Sequence, residues 1–149
     1  MPLLQAPAVT SDAEYIKRLK KRAEADDANA IYELAGLYRD GEMGLPRNRN
    51  KAMKLWPRAG ELGCAEAYCN IGNAYYNGRG VERNDKKAKH FHELAAMRGD
   101  VIARHNLGMV EESEGNTNRA LKHYMIAAAT GYDDSLKAIR EYFLKGHAT

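Results

Sequence analysis

Small residues recur in this chain in a fixed frame, and that frame limits the fold more than any other feature. Ala52, Ala88 and Ala120 are separated by 36 and 32 residues, and so are Ala59, Ala95, Ala127 and Gly63, Gly99, Gly131. A second frame runs through Ala30, Ala67, Ala103 and Ser135, and Leu34, Ile71, Leu107 and Ile139 keep the same steps. Positions that drift together define a repeated unit of about 36 residues, the third about four shorter, and a period in this range marks a stacked array. A repeat of this kind cannot bury its apolar face alone and does so against its neighbours.

Within a unit the apolar spacing is helical. Ala67, Ile71 and Tyr75 step by four along one helix face, and Ala88, Phe91 and Ala95 mark a second helix that Gly99 closes. Between them stands "GNAYYNGRGVERN", residues 72–84, whose glycines raise the question of a phosphate loop. The spacing is wrong for one: no Lys followed by Ser or Thr comes after it, and no β-branched strand precedes it. Gly78 and Gly80 instead fit a turn that needs positive φ, and Gly72 fits a close approach between helices.

The unit resembles the Sel-one-like repeat, a relative of the tetratricopeptide repeat. The best match is "AYCNIGNAYYNGRGVERNDKKAKHFHELAAMRG", followed by "IYELAGLYRDGEMGLPRNRNKAMKLW", while "ARHNLGMVEESEGNTNRALKHYMIAAATG" keeps the helices without the long loop. The resemblance implies an all-α fold, a right-handed superhelix, or solenoid, of antiparallel helix pairs. The expected division is a leader at residues 1–10, extended or disordered, and an N-terminal capping helix at 11–26. Repeats follow at 27–63, 64–99 and 100–131, and 132–149 is the first helix of an incomplete fourth. Ser11 followed by Glu14 is a capping box for the N-terminal helix. Pro57, inside the second helix of the first repeat, is expected to kink it at a cost of ~3 kcal/mol.

Little chemistry survives inspection. His90 and His92 lie two apart and point to different faces, and neither a His-X-X-X-His nor a Cys-X-X-Cys pair is present. The histidines are therefore expected exposed or half-buried, and neither metal nor cofactor is expected. Cys64 and Cys69, on one helix, are too far apart to bridge and read as free thiols of a reducing, cytoplasmic compartment. Glu111 and Glu112 sit on a polar stretch and read as solvated. No nucleophile–base–orienter set can be assembled, so an enzyme is not expected. There are 23 basic and 20 acidic residues, a near balance that argues against a dedicated nucleic-acid binder. No run of 18 apolar residues is present, so no membrane span is expected.

What remains is a scaffold or adaptor that binds a protein or peptide. The resemblance implies that first helices line a concave face, with the exposed residues offset from the packing frame. These are Asn29, Tyr32, Arg39 and Asp40 in the first repeat and Glu66, Cys69, Asn73, Tyr76 and Asn77 in the second. His105, Met109 and Glu112 in the third, and Lys137 beyond it, extend the row. Asn side chains both donate and accept, which suits a peptide backbone, and Tyr and Arg are favoured interface anchors. The alternative is polyanion binding through the basic run Lys17, Arg18, Lys20, Lys21, Arg22 on the N-terminal helix. At the other end, Ile139 and Phe143 are expected to pack inward, leaving Leu136, Tyr142 and Leu144 to be covered either by further repeats of a longer array or by self-association with another copy.

Overall fold

The computed structural model describes residues 11–146. Among them are eight α-helices and no strand, seven helices of 13 residues and one of 12. The expected leader at residues 1–10 lies outside the described residues. The helices fall into two compact units divided after Leu62.

The first unit holds α1 (Asp12–Glu24), α2 (Ala28–Asp40) and α3 (Arg49–Glu61). Ser11 caps α1, its hydroxyl accepting from the Glu14 N–H at 3.2 Å, and Asp27 caps α2 in the same way from Ala30 at 3.1 Å. Each bond satisfies one of the donors that a helix start leaves open. α1 buries Ile16, Leu19 and Ala23 against α2, and α2 packs on α3. Gly41 ends α2 in the left-handed conformation at φ 66°, where a side chain would be strained. The loop then folds back so that the Asn48 N–H donates to the Tyr38 carbonyl at 2.7 Å, and the Asn48 side chain caps α3. α3 runs through Pro57 as one helix to Glu61.

The second unit holds α4 (Ala65–Asn77), α5 (Asp85–Met97), α6 (Val101–Ser113), α7 (Thr117–Ala129) and α8 (Asp133–Leu144), each packed on the next. It repeats the same devices. Gly78 caps α4 at φ 63°, the Asn84 N–H donates to the Tyr75 carbonyl at 2.9 Å, and the Asn84 side chain caps α5. Asp100 caps α6 from Ala103 at 2.8 Å. Alanines of the repeat frame, Ala67, Ala88, Ala95 and Ala103, are 0% exposed. Where helix backbones run this close, a larger side chain would hold them apart.

Two expectations about packing need correction. Phe143 does not pack inward but is 57% exposed, and Tyr142 is the half-buried residue of the pair. Glu111 is not solvated: it is 3% exposed, 2.7 Å from the Lys89 ammonium, and accepts from Asn116 Nδ2 at 2.8 Å. α6 turns this carboxylate toward α5, where Lys89 compensates its desolvation.

Candidate functional site

One position of the second helix carries a ring in every repeat. Four residues after the frame alanines Ala52, Ala88 and Ala120 stand Trp56, His92 and Tyr124, all buried. The first helix of the pair makes room for the last two with a glycine. A Cβ on Gly72 would lie 2.7 Å from the His92 ring, and one on Gly108 would lie 2.5 Å from the Tyr124 ring. Each ring carries a polar atom. Tyr124 donates its hydroxyl to Glu112 of α6 at 2.8 Å. Trp56 Nε1 and His92 Nδ1 are buried with no hydrogen-bond partner among the described residues. The Arg39 guanidinium lies 5.8 Å from the centre of the Trp56 ring.

In the first unit the expected binding residues on α2 are partly neutralised. Arg39 holds Asp40 through two hydrogen bonds of 2.9 and 2.8 Å. The hydrogen bond to Asp40 pushes the guanidinium pKa up, and the same contact holds the Asp40 carboxyl below the usual range. Asn29 is exposed and Tyr32 half-buried. On α1 the basic run is exposed, but Arg22 is tied to Asp27 at 2.9 Å, and Glu14 shares a shallow depression with Lys17, Arg18 and Lys21.

In the second unit the first helices α4 and α6 are linked directly. Asn106 Nδ2 donates to Asn73 Oδ1 at 3.0 Å, and Asn77 Nδ2 donates to the Asn73 carbonyl at 3.0 Å. Beside this bond opens a cleft of about 150 Å³. Asn73, Tyr76 and Asn77 of α4, Asn106, Met109 and Val110 of α6, and His92 of α5 line it. The structure thus brings together four of the expected residues and adds His92 and Asn106. His92, expected exposed or half-buried, is 1% exposed, and burial pushes its pKa down to about 4, so the ring is neutral at neutral pH. The alignment of 92 with Trp56 and Tyr124 is the sequence signal that would have found it.

The remaining expected residues divide. Glu66, Glu112 and Lys137 are exposed, as are the cleft residues Asn77 and Met109. Cys69 is not available to a partner: it is 5% exposed, and burial drives its thiol pKa up to about 12. His105 is half-buried between the Tyr124 and Tyr132 rings, 5.1 Å from each, and its Nδ1 lies 2.7 Å from Ser135 Oγ. That pair has the geometry of a nucleophile and its base, but Ser135 is 0% exposed and closed to any substrate. It stands where the other repeats carry Ala, and His105 supplies the partner its hydroxyl needs. No group of three His, Cys, Asp or Glu among the described residues could hold a metal ion. No helix among them is long and apolar enough to cross a membrane.

The Sel1 repeat family matches residues 28–64 and 65–100. A solved Sel1 repeat protein from Oxalobacter formigenes superposes with a TM-score of 0.81 at 30% identity, over 89% of this chain and 56% of that one. A protective antigen of uropathogenic Escherichia coli strains, described as displaying an SLR fold, gives 0.80 at 30% identity, over 88% of this chain and 29% of its own. The ERAD-associated E3 ubiquitin-protein ligase component HRD3A of Arabidopsis thaliana is 35% identical over 88 residues, 59% of this chain. The chain spans 12% of that relative's length.

Proposed function

Because this chain belongs to the Sel1-repeat proteins, all-α solenoids of helix pairs that mediate protein–protein contacts, we propose that it is a scaffold whose first-helix face binds a peptide or protein segment. The observation that carries this reading is the α4/α6 cleft. It combines amide groups that each keep one polar atom beyond the bonds among them, a tyrosine and an exposed methionine on a surface built from helices. Such a surface gives a side chain of a bound peptide hydrogen bonds and apolar contact together. HRD3A, named as a component of a ligase, is consistent with a role in assemblies. The free thiols Cys64 and Cys69 favour a reducing, cytoplasmic setting for that work.

Replacing Asn73 and Tyr76 together by Ala is the direct test. Binding of a captured partner should fall by tenfold or more, about one anchoring side chain's worth, with helical circular dichroism unchanged. Affinity that instead follows Lys17, Lys20 and Arg22 would move the site to α1 and overturn the reading.

The same interaction class extends to α8. Leu136, Phe143 and Leu144 are 44, 57 and 86% exposed, and Asp133 and Asp134 at one end of the helix complement Lys145 at the other. An antiparallel pair of such helices would set Leu136 against Phe143 and acid against base, so this face is assigned to contact between copies. Light scattering should show mass rising with concentration in the wild type and constant in Phe143→Lys.

A further inference from the structure

The cleft between α4 and α6 is lined without a single charged side chain among the described residues. Its size, about 150 Å³, equals that of a cavity that accepts a benzene-sized group, so it admits one side chain rather than a stretch of backbone. The polar atoms facing it are selective. Asn73 Oδ1 is spent on Asn106 Nδ2, and Asn77 Nδ2 is spent on the Asn73 carbonyl. That leaves Asn73 Nδ2 as donor and Asn106 and Asn77 Oδ1 as acceptors. His92 adds a neutral ring whose buried Nδ1 the fold leaves unpaired, although it is 1% exposed. Unmade hydrogen bonds at buried groups are costly and rare in native structures, so a wall of this kind calls for a ligand that makes them. Met109 and Val110 close the other side with apolar surface.

An ionised group would lose its hydration here and find no countercharge. The nearby Arg83 lies over the Tyr76 ring, 5.2 Å from its centre, and is already paired with Asp85 at 3.0 Å. A purely apolar group would leave the amide and imidazole atoms unsatisfied. A neutral group that both donates and accepts, on a short apolar stem, meets the Asn73 donor and two of the acceptors, and the exposed Asn77 is left to water. We propose that this cleft is a receptor for one uncharged carboxamide, the side chain of a Gln or Asn presented by the bound partner. In it the ligand carbonyl accepts from Asn73 Nδ2, and the two hydrogens of the ligand amide go to Asn106 Oδ1 and to the unpaired Nδ1 of His92. The proposal rests on reading the first-helix face as the partner-binding surface, and it adds what that surface selects.

Two arms on the intact chain separate the two claims. In the first, propionamide, propionate and propylammonium are titrated while the side-chain amides of Asn73 and Asn106 and the imidazole of His92 are followed by NMR. Propionamide should give saturable shifts at roughly 10 mM, as suits so few atoms, with propionate and propylammonium at least about tenfold weaker, one hydrogen bond's worth. His92→Phe, which keeps a ring against Gly72, and Asn106→Leu should each remove the response. Equal binding of propionate, no saturable shift with any probe, or a response that survives both variants overturns the proposal. In the second arm, random peptides are selected on the wild-type chain. Binders that share one Gln or Asn, and weaken about tenfold on its change to Glu or Met, support it. Binders on the same face with no such position overturn the carboxamide receptor and leave the peptide-binding reading intact. No peptide binder alongside a normal propionamide response does the reverse.

Discussion

The His92 ring occupies the space that a side chain on Gly72 would need, 2.7 Å from where its Cβ would stand. Gly36, in α2, faces no such obstacle: a Cβ added there would meet nothing nearer than the Arg39 guanidinium, 4.0 Å away. The two glycines therefore predict opposite signs. Gly36→Ala should stabilise by up to about 1 kcal/mol through helix preference. Gly72→Ala should destabilise by about 1–3 kcal/mol, because the ring must leave its well-packed site. Urea unfolding of both variants decides it, and a stabilised Gly72→Ala would mean the ring slides aside at no cost.

Burial holds His92 neutral, with a folded-state pKa of about 4 against an ordinary 6.5. The unfolded chain thus binds the proton first as pH falls. The stabilisation is fully present above about pH 6.5 and is lost as pH drops toward 4, up to about 3 kcal/mol from this residue. His105 and His123 are also lowered by burial and act in the same direction. The difference between wild type and His92→Phe isolates the contribution: the variant's melting temperature should fall less between pH 7 and 4.5. Parallel pH profiles would show that the ring reaches solvent when protonated.

Glu111 joins Lys89 at 2.7 Å from a nearly buried position. Burial works to raise its carboxyl pKa, but the hydrogen bonds from Lys89 and Asn116 prevail and hold it below the usual range. A double-mutant cycle on Lys89 and Glu111 should return a coupling of about 1–2 kcal/mol, tempered by the partial exposure of the lysine. The exposed Arg83–Asp85 pair should return no more than about 0.5 kcal/mol. Equal couplings would show that burial adds nothing to the inner pair.

Pro57 leaves the Met53 carbonyl without its intrahelical donor inside a helix that continues to Glu61. Pro57→Leu should raise the unfolding midpoint by several degrees, since about 3 kcal/mol separates Pro from good helix formers. An unchanged or lower midpoint would mean that the half-buried ring packs usefully where it stands.

The repeat frame is legible in the sequence because its small residues, such as Ala67, Ala88 and Ala103, are fully buried between packed helices, where little space is left for a larger side chain. Capping is legible for a similar reason, since Ser11, Asn48 and Asn84 act within three residues of themselves. Facing is harder to read. Cys69 and Asn73 stand four apart on α4, yet one is buried and the other borders the cleft. Helical periodicity gives them the same side, and only the neighbouring helix decides which is covered. Glu111 reads as solvated because its partner Lys89 is distant in sequence, and a buried charge is recognisable only with its counterion in view.

The ring position shared by Trp56, His92 and Tyr124 has an evolutionary reading. Each ring is anchored in a second helix, and in the second unit His92 reaches the wall of a cleft that first helices otherwise build. Exchange of that one second-helix residue would therefore alter the cleft while every first-helix residue stayed the same. A change in the chemistry of the cleft can thus arise in a second helix, with the first-helix sequence left unaltered.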